Sequence, residues 1–288
     1  MSKKAAKKPG TELTVKKDAG LPATAGLPSF LTGYTGMRGT EGIESADITI
    51  PRVKVGQSMS DEVKSGSIKE GALFLNITSE VLAEPGSPLE VVLLARSKEF
   101  ILWRPREDNG GGILARAKPV QTSDGVRYQW DKPNTSFEVK VGGKVKVTWK
   151  TKKFIDEDGL DQWGSEIPGD EESGIAATAH HNYVVMLPKN GNMVAAMSLS
   201  KSQVKKAKDW NAILKLSPAP IFARRFNVTT VDEKNDQGDF KNFDVKPAGF
   251  VEEADFANIY KPAAMSFVGK VINVDHSDGD DTSTDERL

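Results

Sequence analysis

Short runs of β-branched and aromatic residues recur along most of this chain, and clusters of Gly, Pro, Asn and Asp separate them. The runs cover residues 89–95, 100–103, 126–130, 137–141, 144–150, 183–187, 193–199 and 221–231. Spacers such as EPGSP, TSDG and PKNGN are typical of turns, and Asn190-Gly191 predicts a hairpin between two of the runs. The pattern favours an antiparallel β architecture over alternating βαβ units.

Helical periodicity is confined to the C-terminal half of the chain. Between Ser200, a residue type favoured at helix N-caps, and Pro218, apolar residues recur at helical spacing. A second short helix is predicted near 252–260, and the pattern does not decide between helix and strand for 263–274. We therefore predict a mainly β (α+β) protein, an antiparallel OB-like barrel with one or two helices and disordered termini.

Charge is distributed unevenly, although the formal net charge of the 288 residues is only −1. Residues 1–20 carry six lysines against two acids, a net +4, and residues 275–288 carry six acids against one arginine, a net −5. Segments this polar bury too little apolar surface to fold. We predict a basic disordered tail and linker over 1–40, an OB-like domain over 41–274 and an acidic disordered tail over 275–288.

The hairpin at 137–150 is the element whose register the sequence predicts in most detail. A three-residue loop at 142–144 places every large apolar side chain on one face. That register forms the pairs Val141–Val145, Val139–Val147 and Phe137–Trp149. The other face then carries Lys140 directly opposite Lys146, with Lys150 further along. Like charges that face each other destabilise a ladder unless an anion covers them, so the lysines either bind an anion or point apart into solvent.

Basic and aromatic residues are interleaved between residues 96 and 153, where 14 bases face six acids, a local +8. Single-stranded nucleic acids are bound by this combination, because cations follow the backbone and rings stack on bases at about 1–3 kcal/mol each. In the later run, Phe222, Arg224 and Phe226 are predicted to share one face of a strand. The predicted contacts are Trp103, Arg104, Arg106, Tyr128, Trp130, Lys140, Lys146, Lys150, Lys153, Arg224 and Phe226. About half of these rings are expected in the core instead.

Signals for catalysis or for a bound metal are weak. Cysteine is absent, and the adjacent His180 and His181 point to opposite faces of a strand, so they cannot share one ion. Residues 156–172 hold eight acids and no base, but without the spacing of a calcium loop. We expect no enzyme activity, cofactor or metal. A metal-dependent nuclease that uses the acids near 156–172 is one alternative.

Three short phrases resemble proteins encoded by tailed bacteriophages: IPRVKVGQ at 50–57, GGGILAR at 110–116 and FAR at 222–224. Over residues 46–288 the chain resembles phage single-stranded-DNA-binding proteins that have an OB-fold and an acidic C-terminal tail. The resemblance implies binding of single-stranded DNA, a role in DNA replication or recombination, and a location in the host cell cytoplasm without membrane contact.

In such proteins the acidic tail recruits replication or recombination proteins and competes with DNA for the cleft. The corresponding residues are Asp275, Asp278, Asp280, Asp281, Asp285 and Glu286. The other alternative is a phage structural or host-interaction protein that does not bind nucleic acid.

Overall fold

The computed structural model describes residues 50–105, 108, 111–141, 144–235, 238–269 and 274. The strands are β1 (Val53–Val55), β2 (Leu73–Leu75), β3 (Val81–Ala83), β4 (Leu89–Arg104), β5 (Gly112–Thr122), β6 (Gly125–Trp130), β7 (Ser136–Val141), β8 (Lys144–Lys150), β9 (Ala177–Leu187), β10 (Met193–Ser200), β11 (Arg224–Asn235) and β12 (Gly238–Phe250). The helices are α1 (Asp61–Lys64), α2 (Ile155–Asp158), α3 (Val204–Leu216), α4 (Glu253–Asp255) and α5 (Lys261–Met265), with a π-helix at Phe256–Tyr260. The predicted tails at 1–40 and 275–288 lie outside the described residues.

The main sheet is antiparallel and forks at its longest strand. Its order is β10-β9-β4-β11-β12, and β5 pairs with β4 and with β6. On one side of β4, residues 92–102 pair with β9. On the other side, residues 89–92 pair with β11 and residues 100–104 pair with β5. One strand of 16 residues therefore supports two separate groups of strands.

Each branch of the fork builds its own apolar core on the same face of β4. The helix lobe packs β4, β9 and β10 against α3 and the small β1-β2-β3 sheet, and the rings of Tyr183 and Trp210 stack at 4.2 Å. The hairpin lobe packs Phe100 and Leu102 against β5, β6 and the β7-β8 hairpin. Because β4 contributes residues to both cores, it connects the helix lobe directly to the hairpin lobe.

The opposite face of β4 is covered by the C-terminal helical segment. Val92 and Leu94 pack there with Tyr260, Ala264 and Val274. Further along this face, Glu99 is buried and accepts a hydrogen bond of 2.7 Å from the Asn182 amide. Arg116 lies 3.7 Å from the same carboxylate. Glu99 is thus a buried acid with polar partners, which is what burial of a carboxylate requires.

The antiparallel, mainly β architecture is confirmed, and the OB-like barrel is not confirmed, because the described residues form no closed barrel. Among the described residues the main sheet is an open, branched ladder whose path ends at β10 and β12. The runs 89–95 and 100–103 were predicted as two strands, and the structure joins them into β4. The polar residues 96–99 predicted an interruption between two strands, whereas long-range partners such as Asn182 keep this stretch extended. The pattern also left β5 and β12 without a prediction.

The other predicted elements are largely confirmed. The predicted helix after Ser200 begins with a 3-10 turn and continues as α3, burying Ala207, Trp210 and Leu214. The predicted hairpin joins β9 to β10, with Gly191 in the left-handed region at φ 66°. The second predicted helix extends from Glu253 as α4, the π-helix and α5. No helix within the described ranges is long and apolar enough to span a membrane.

The β7-β8 hairpin confirms the predicted register along its body and differs at its tip. Val139 pairs with Val147 and Phe137 with Trp149, as the alternation of apolar residues predicted. A bulge beyond Val139 then pairs Lys140 with Val145 and Val141 with Lys144. The predicted Val141–Val145 pair is therefore wrong, and Lys140 does not face Lys146 directly. Val145 takes the position opposite Lys140, and Lys146 is the extra residue of the bulge.

Candidate nucleic-acid interface

The middle of β4, at residues 94–99, lies between the helix lobe and the hairpin lobe. The side chains of Arg96 and Lys98 project from the face that carries both cores, because they lie four and two positions before the core residue Phe100. Lys98 pairs directly with His181 of β9, whose side chain therefore lies on the same face. Lys208 of α3 is close enough to lower the pKa of both Lys98 and His181. We call Arg96, Lys98, His181 and Lys208 the fork site.

The three cations of the fork site have no acidic contact among the described residues. Arg96 and Lys208 are exposed and Lys98 is half-buried, and none of them lies within 4.0 Å of a described carboxylate. Arg127 on β6, by contrast, contacts Asp156 at 2.7 Å. The cations of the fork site therefore form no ion pair with a carboxylate in the part of the chain that the structure describes, which makes them candidate contacts for an external anion.

Lys98 is held in place by aromatic rings instead of by a carboxylate. Its ammonium nitrogen lies 4.3 Å from the ring centroid of Phe100 and 5.3 Å from that of Tyr128. Burial lowers the pKa of Lys98, Asp161 opposes that shift, and the charge of Lys208 adds to it. The two rings therefore position the Lys98 ammonium by cation–π contact.

His181 stands among these cations in its neutral form. Burial lowers its pKa to about 4, and the positive charges of Lys98, Arg96 and Lys208 contribute to that shift. At pH 7 the imidazole of His181 is therefore uncharged. His180, the next residue along β9, is buried on the opposite face, as the alternation of the strand predicted.

The outer face of the β7-β8 hairpin forms a second basic surface, which we call the hairpin face. Lys140, Lys146 and Lys150 are exposed there, and only Lys140 lies near a described acid, 3.7 Å from Glu138. The inner face is anchored by Trp149, whose indole donates to the backbone oxygens of Ser165 and Glu166 at 3.2 Å each. The hairpin therefore presents lysines on a rigid support.

Two of the predicted stacking rings are buried, and their assignment to the nucleic-acid contact is corrected. Trp130 is 1 % exposed and donates to the Asp158 carboxylate at 2.7 Å. Phe226 is fully buried and packs edge-on against Trp210 at 5.5 Å. Tyr128 is half-buried, and the Lys98 ammonium lies over its ring. Trp130 and Phe226 are therefore core residues that cannot stack on a base, whereas the half-buried Tyr128 supports the Lys98 ammonium.

The remaining predicted contacts are dispersed over the fold. Trp103 lies near the imidazole of His180, at a centroid distance of 6.0 Å and therefore on the face opposite the fork site. The Arg104 guanidinium lies 3.8 Å from the Asp108 carboxylate, and Arg106 lies outside the described residues. Lys153 is exposed, with its ammonium 5.0 Å from the Phe154 ring.

Arg224 lies beside the helix lobe. Its guanidinium carbon is 5.8 Å from the ring centroid of Phe250, and its Nη1 donates to the backbone oxygen of Ile213 at 3.3 Å. Phe222 belongs to a 3-10 turn and stacks on Phe256 at 5.5 Å, outside the core that holds Phe226. The predicted common face of Phe222 and Phe226 is therefore wrong.

The first acids of the run 156–172 hold the hairpin lobe together. Asp156 and Glu157 contact Arg127, and this hydrogen bonding lowers the pKa of Asp156. Besides the Trp130 indole, Asp158 accepts hydrogen bonds from the backbone N–H groups of Lys152 and Leu160 at 3.0 and 3.1 Å. These carboxylates therefore have structural partners that account for their positions.

The fork site itself was not predicted from the sequence. Its four residues are up to 112 positions apart in the chain (96 and 208), and only the register of β4 with β9 and the packing of α3 bring them together. Arg96 and Lys98 belong to the stretch that was read as a break between two strands. No local pattern marks such a cluster.

The fold and its two basic surfaces describe a mainly antiparallel β protein with cations exposed between two lobes. A comparison with protein-family models matches residues 16–273 to the Pam3 phage gp34-like protein, and the chain belongs to that family. The family is named after a phage protein, which agrees with the expected bacteriophage origin. No curated protein and no solved structure matches the chain.

Proposed function

We propose that this phage-family protein is a non-catalytic, sequence-tolerant single-stranded-DNA-binding protein of phage replication or recombination. The observation that carries the proposal is the fork site, where Arg96, Lys98 and Lys208 have no carboxylate within 4.0 Å among the described residues. Unneutralised cations held this close repel one another, and a phosphate backbone relieves that repulsion. Contacts to phosphates carry no base information, which is the basis for sequence tolerance.

The preference for single strands rests on the position of the fork site. Lys98 and His181 are half-buried between two lobes, where a flexible strand can bring one phosphate at a time. The hairpin face supplies a second contact through Lys140, Lys146 and Lys150. Stacking contributes less than the sequence implied, because Trp130 and Phe226 belong to the core.

The acidic segment 275–288 is proposed to recruit replication or recombination proteins in the host cell cytoplasm. Residue Val274, just before it, is buried, and its carbonyl accepts a hydrogen bond of 3.1 Å from the Arg116 guanidinium. Val274 packs on the face of β4 opposite the fork site. A tail that starts there leaves the fork site open when the tail is engaged by a partner.

The direct test compares single-strand binding by a fork-site variant with binding by a charge-matched control. The variant is Arg96→Gln, Lys98→Gln and Lys208→Gln, which keeps most of each side-chain stem. The control removes three exposed, ion-paired lysines elsewhere, Lys69→Gln, Lys189→Gln and Lys234→Gln.

Each phosphate neutralised on a single strand contributes about −0.7 to the slope of log affinity against log salt. The fork-site variant should therefore lose about 2 from the slope, and the control should keep it. Equal slopes for the two variants would contradict the proposal, because the charge removed is the same.

One observation favours the alternative of a host-interaction protein. A shallow surface depression of about 250 Å³ is lined by Ala223, Phe250, Val251, Glu253 and Phe256, and Phe250 is 58 % exposed. Exposed aromatic side chains are enriched at protein interfaces. Specific capture of a host protein that Phe250→Ala abolishes, without any single-strand binding by the full chain, would favour this alternative.

A further inference from the structure

We propose that His181 takes up a proton when an anionic strand binds, so that binding at the fork site is coupled to pH. The inference rests on the proposed function and concerns the regulation of the same site. Its basis is the direct pairing of His181 with Lys98 on the face that carries Arg96, with Lys208 above them on α3. An imidazole in this position meets any phosphate that the cations attract.

The charged and titratable groups around His181 come from four elements. Arg96 and Lys98 project from β4, and Lys208 lies on α3. Tyr128 of β6 lies under the Lys98 ammonium, and the carboxylate of Asp161, after α2, acts on Lys98. On the other side of His181, β10 contributes the apolar Leu199. Cations therefore dominate the field at the imidazole.

A phosphate at the fork site reverses that field. The three cations and burial hold the pKa of free His181 at about 4. A bound phosphate compensates the cations, so the pKa of His181 rises on binding and the imidazole becomes a fourth positive contact. A group whose pKa rises on binding takes up a proton, so affinity increases as pH falls and is lost as pH rises through the pKa of the complex.

The size of the effect follows from the two pKa values. If the bound strand restores His181 to its ordinary pKa of about 6.5, affinity at pH 5 exceeds that at pH 8 by about 30-fold. Most of the change falls between pH 7 and pH 5.

The experiment measures the affinity of the full chain for oligo(dT) at constant ionic strength from pH 5 to pH 8. Thymine does not titrate in this range, so a change in affinity belongs to the protein. We expect about 30-fold tighter binding at pH 5 for the unchanged chain and a flat profile for His181→Gln.

A second measurement keeps the proposal independent of the stability of the variant. The sequence contains three histidines, so their ring resonances can be followed in the unchanged chain with and without oligo(dT). We expect the pKa of His181 to rise by more than one unit on binding. Tight binding with an unchanged His181 titration would overturn this inference alone. Failure to bind oligo(dT) at every pH would overturn the proposed function and, with it, the inference.

Discussion

Replacing Asp158 by alanine tests whether the acidic run after β8 is a structural element. Asp158 accepts the indole N–H of Trp130 at 2.7 Å and two backbone N–H groups at 3.0 and 3.1 Å. Trp130 is 1 % exposed, so its indole donor would stay unpaired without the Asp158 carboxylate. A hydrogen bond to a charged group contributes about 1.5–3 kcal/mol, and an unpaired buried donor costs about 1–3 kcal/mol.

Asp158→Ala should therefore lower the free energy of unfolding by about 3 kcal/mol. For a domain of this size that corresponds to a fall in Tm of about 6–12 °C. The assay is guanidinium unfolding followed by circular dichroism. The matched control is Asp161→Ala in the same run, where the carboxylate accepts only from the neighbouring Gln162 amide, and its effect should stay within about 0.5 kcal/mol.

The free energy of unfolding of Asp158→Asn should lie between that of Asp158→Ala and that of the unchanged protein, because asparagine keeps an acceptor oxygen for Trp130 and loses the charge. A stability of Asp158→Ala within about 0.5 kcal/mol of the unchanged protein would refute this reasoning. If Asp158→Ala were as stable as the unchanged protein and abolished a metal-dependent degradation of DNA, the result would support the nuclease alternative.

The remaining predictions concern charge. Lys140→Ala with Lys146→Ala should weaken single-strand binding and leave the free energy of unfolding unchanged, because both side chains are exposed on the hairpin face. A loss of more than about 1 kcal/mol in the free energy of unfolding in guanidinium would show a structural role instead. Asp161→Asn should tighten single-strand binding by about two- to threefold at low salt, because its carboxylate offsets the charge of Lys98, and the gain should vanish as salt screens it. Deletion of 275–288 should also tighten binding at low salt, because a tethered polyanion competes at high effective concentration; affinities that agree with the full chain across the salt range would leave the tail no such role.

The hairpin shows how far local sequence rules reach in this fold. Alternation along 137–150 gave the correct pairs Val139–Val147 and Phe137–Trp149, because only that register buries the large side chains together. It failed at the tip, where a bulge pairs Lys140 with Val145 instead of with Lys146. Two-residue periodicity contains no information about a bulge, because the extra residue interrupts the alternation itself.

The fork shows where such rules end. Arg96, Lys98 and buried Glu99 interrupt an apolar pattern, so they predicted a break where the structure has one continuous strand. The partners that keep β4 extended, among them Asn182, are distant in sequence. The fork site also depends on long-range pairing, that of β4 with β9. The sequence therefore led to the prediction of basic and aromatic nucleic-acid contacts, but some of the predicted contacts, such as Trp130, are core residues.

The most direct test of the account is a salt titration of the affinity of the full chain for oligo(dT) and for a duplex of equal length. With three fork-site cations on the strand, the account predicts tighter binding to the single strand and a slope of log affinity against log salt steeper than about −2. A flat salt response, or equal affinity for the duplex, would contradict it.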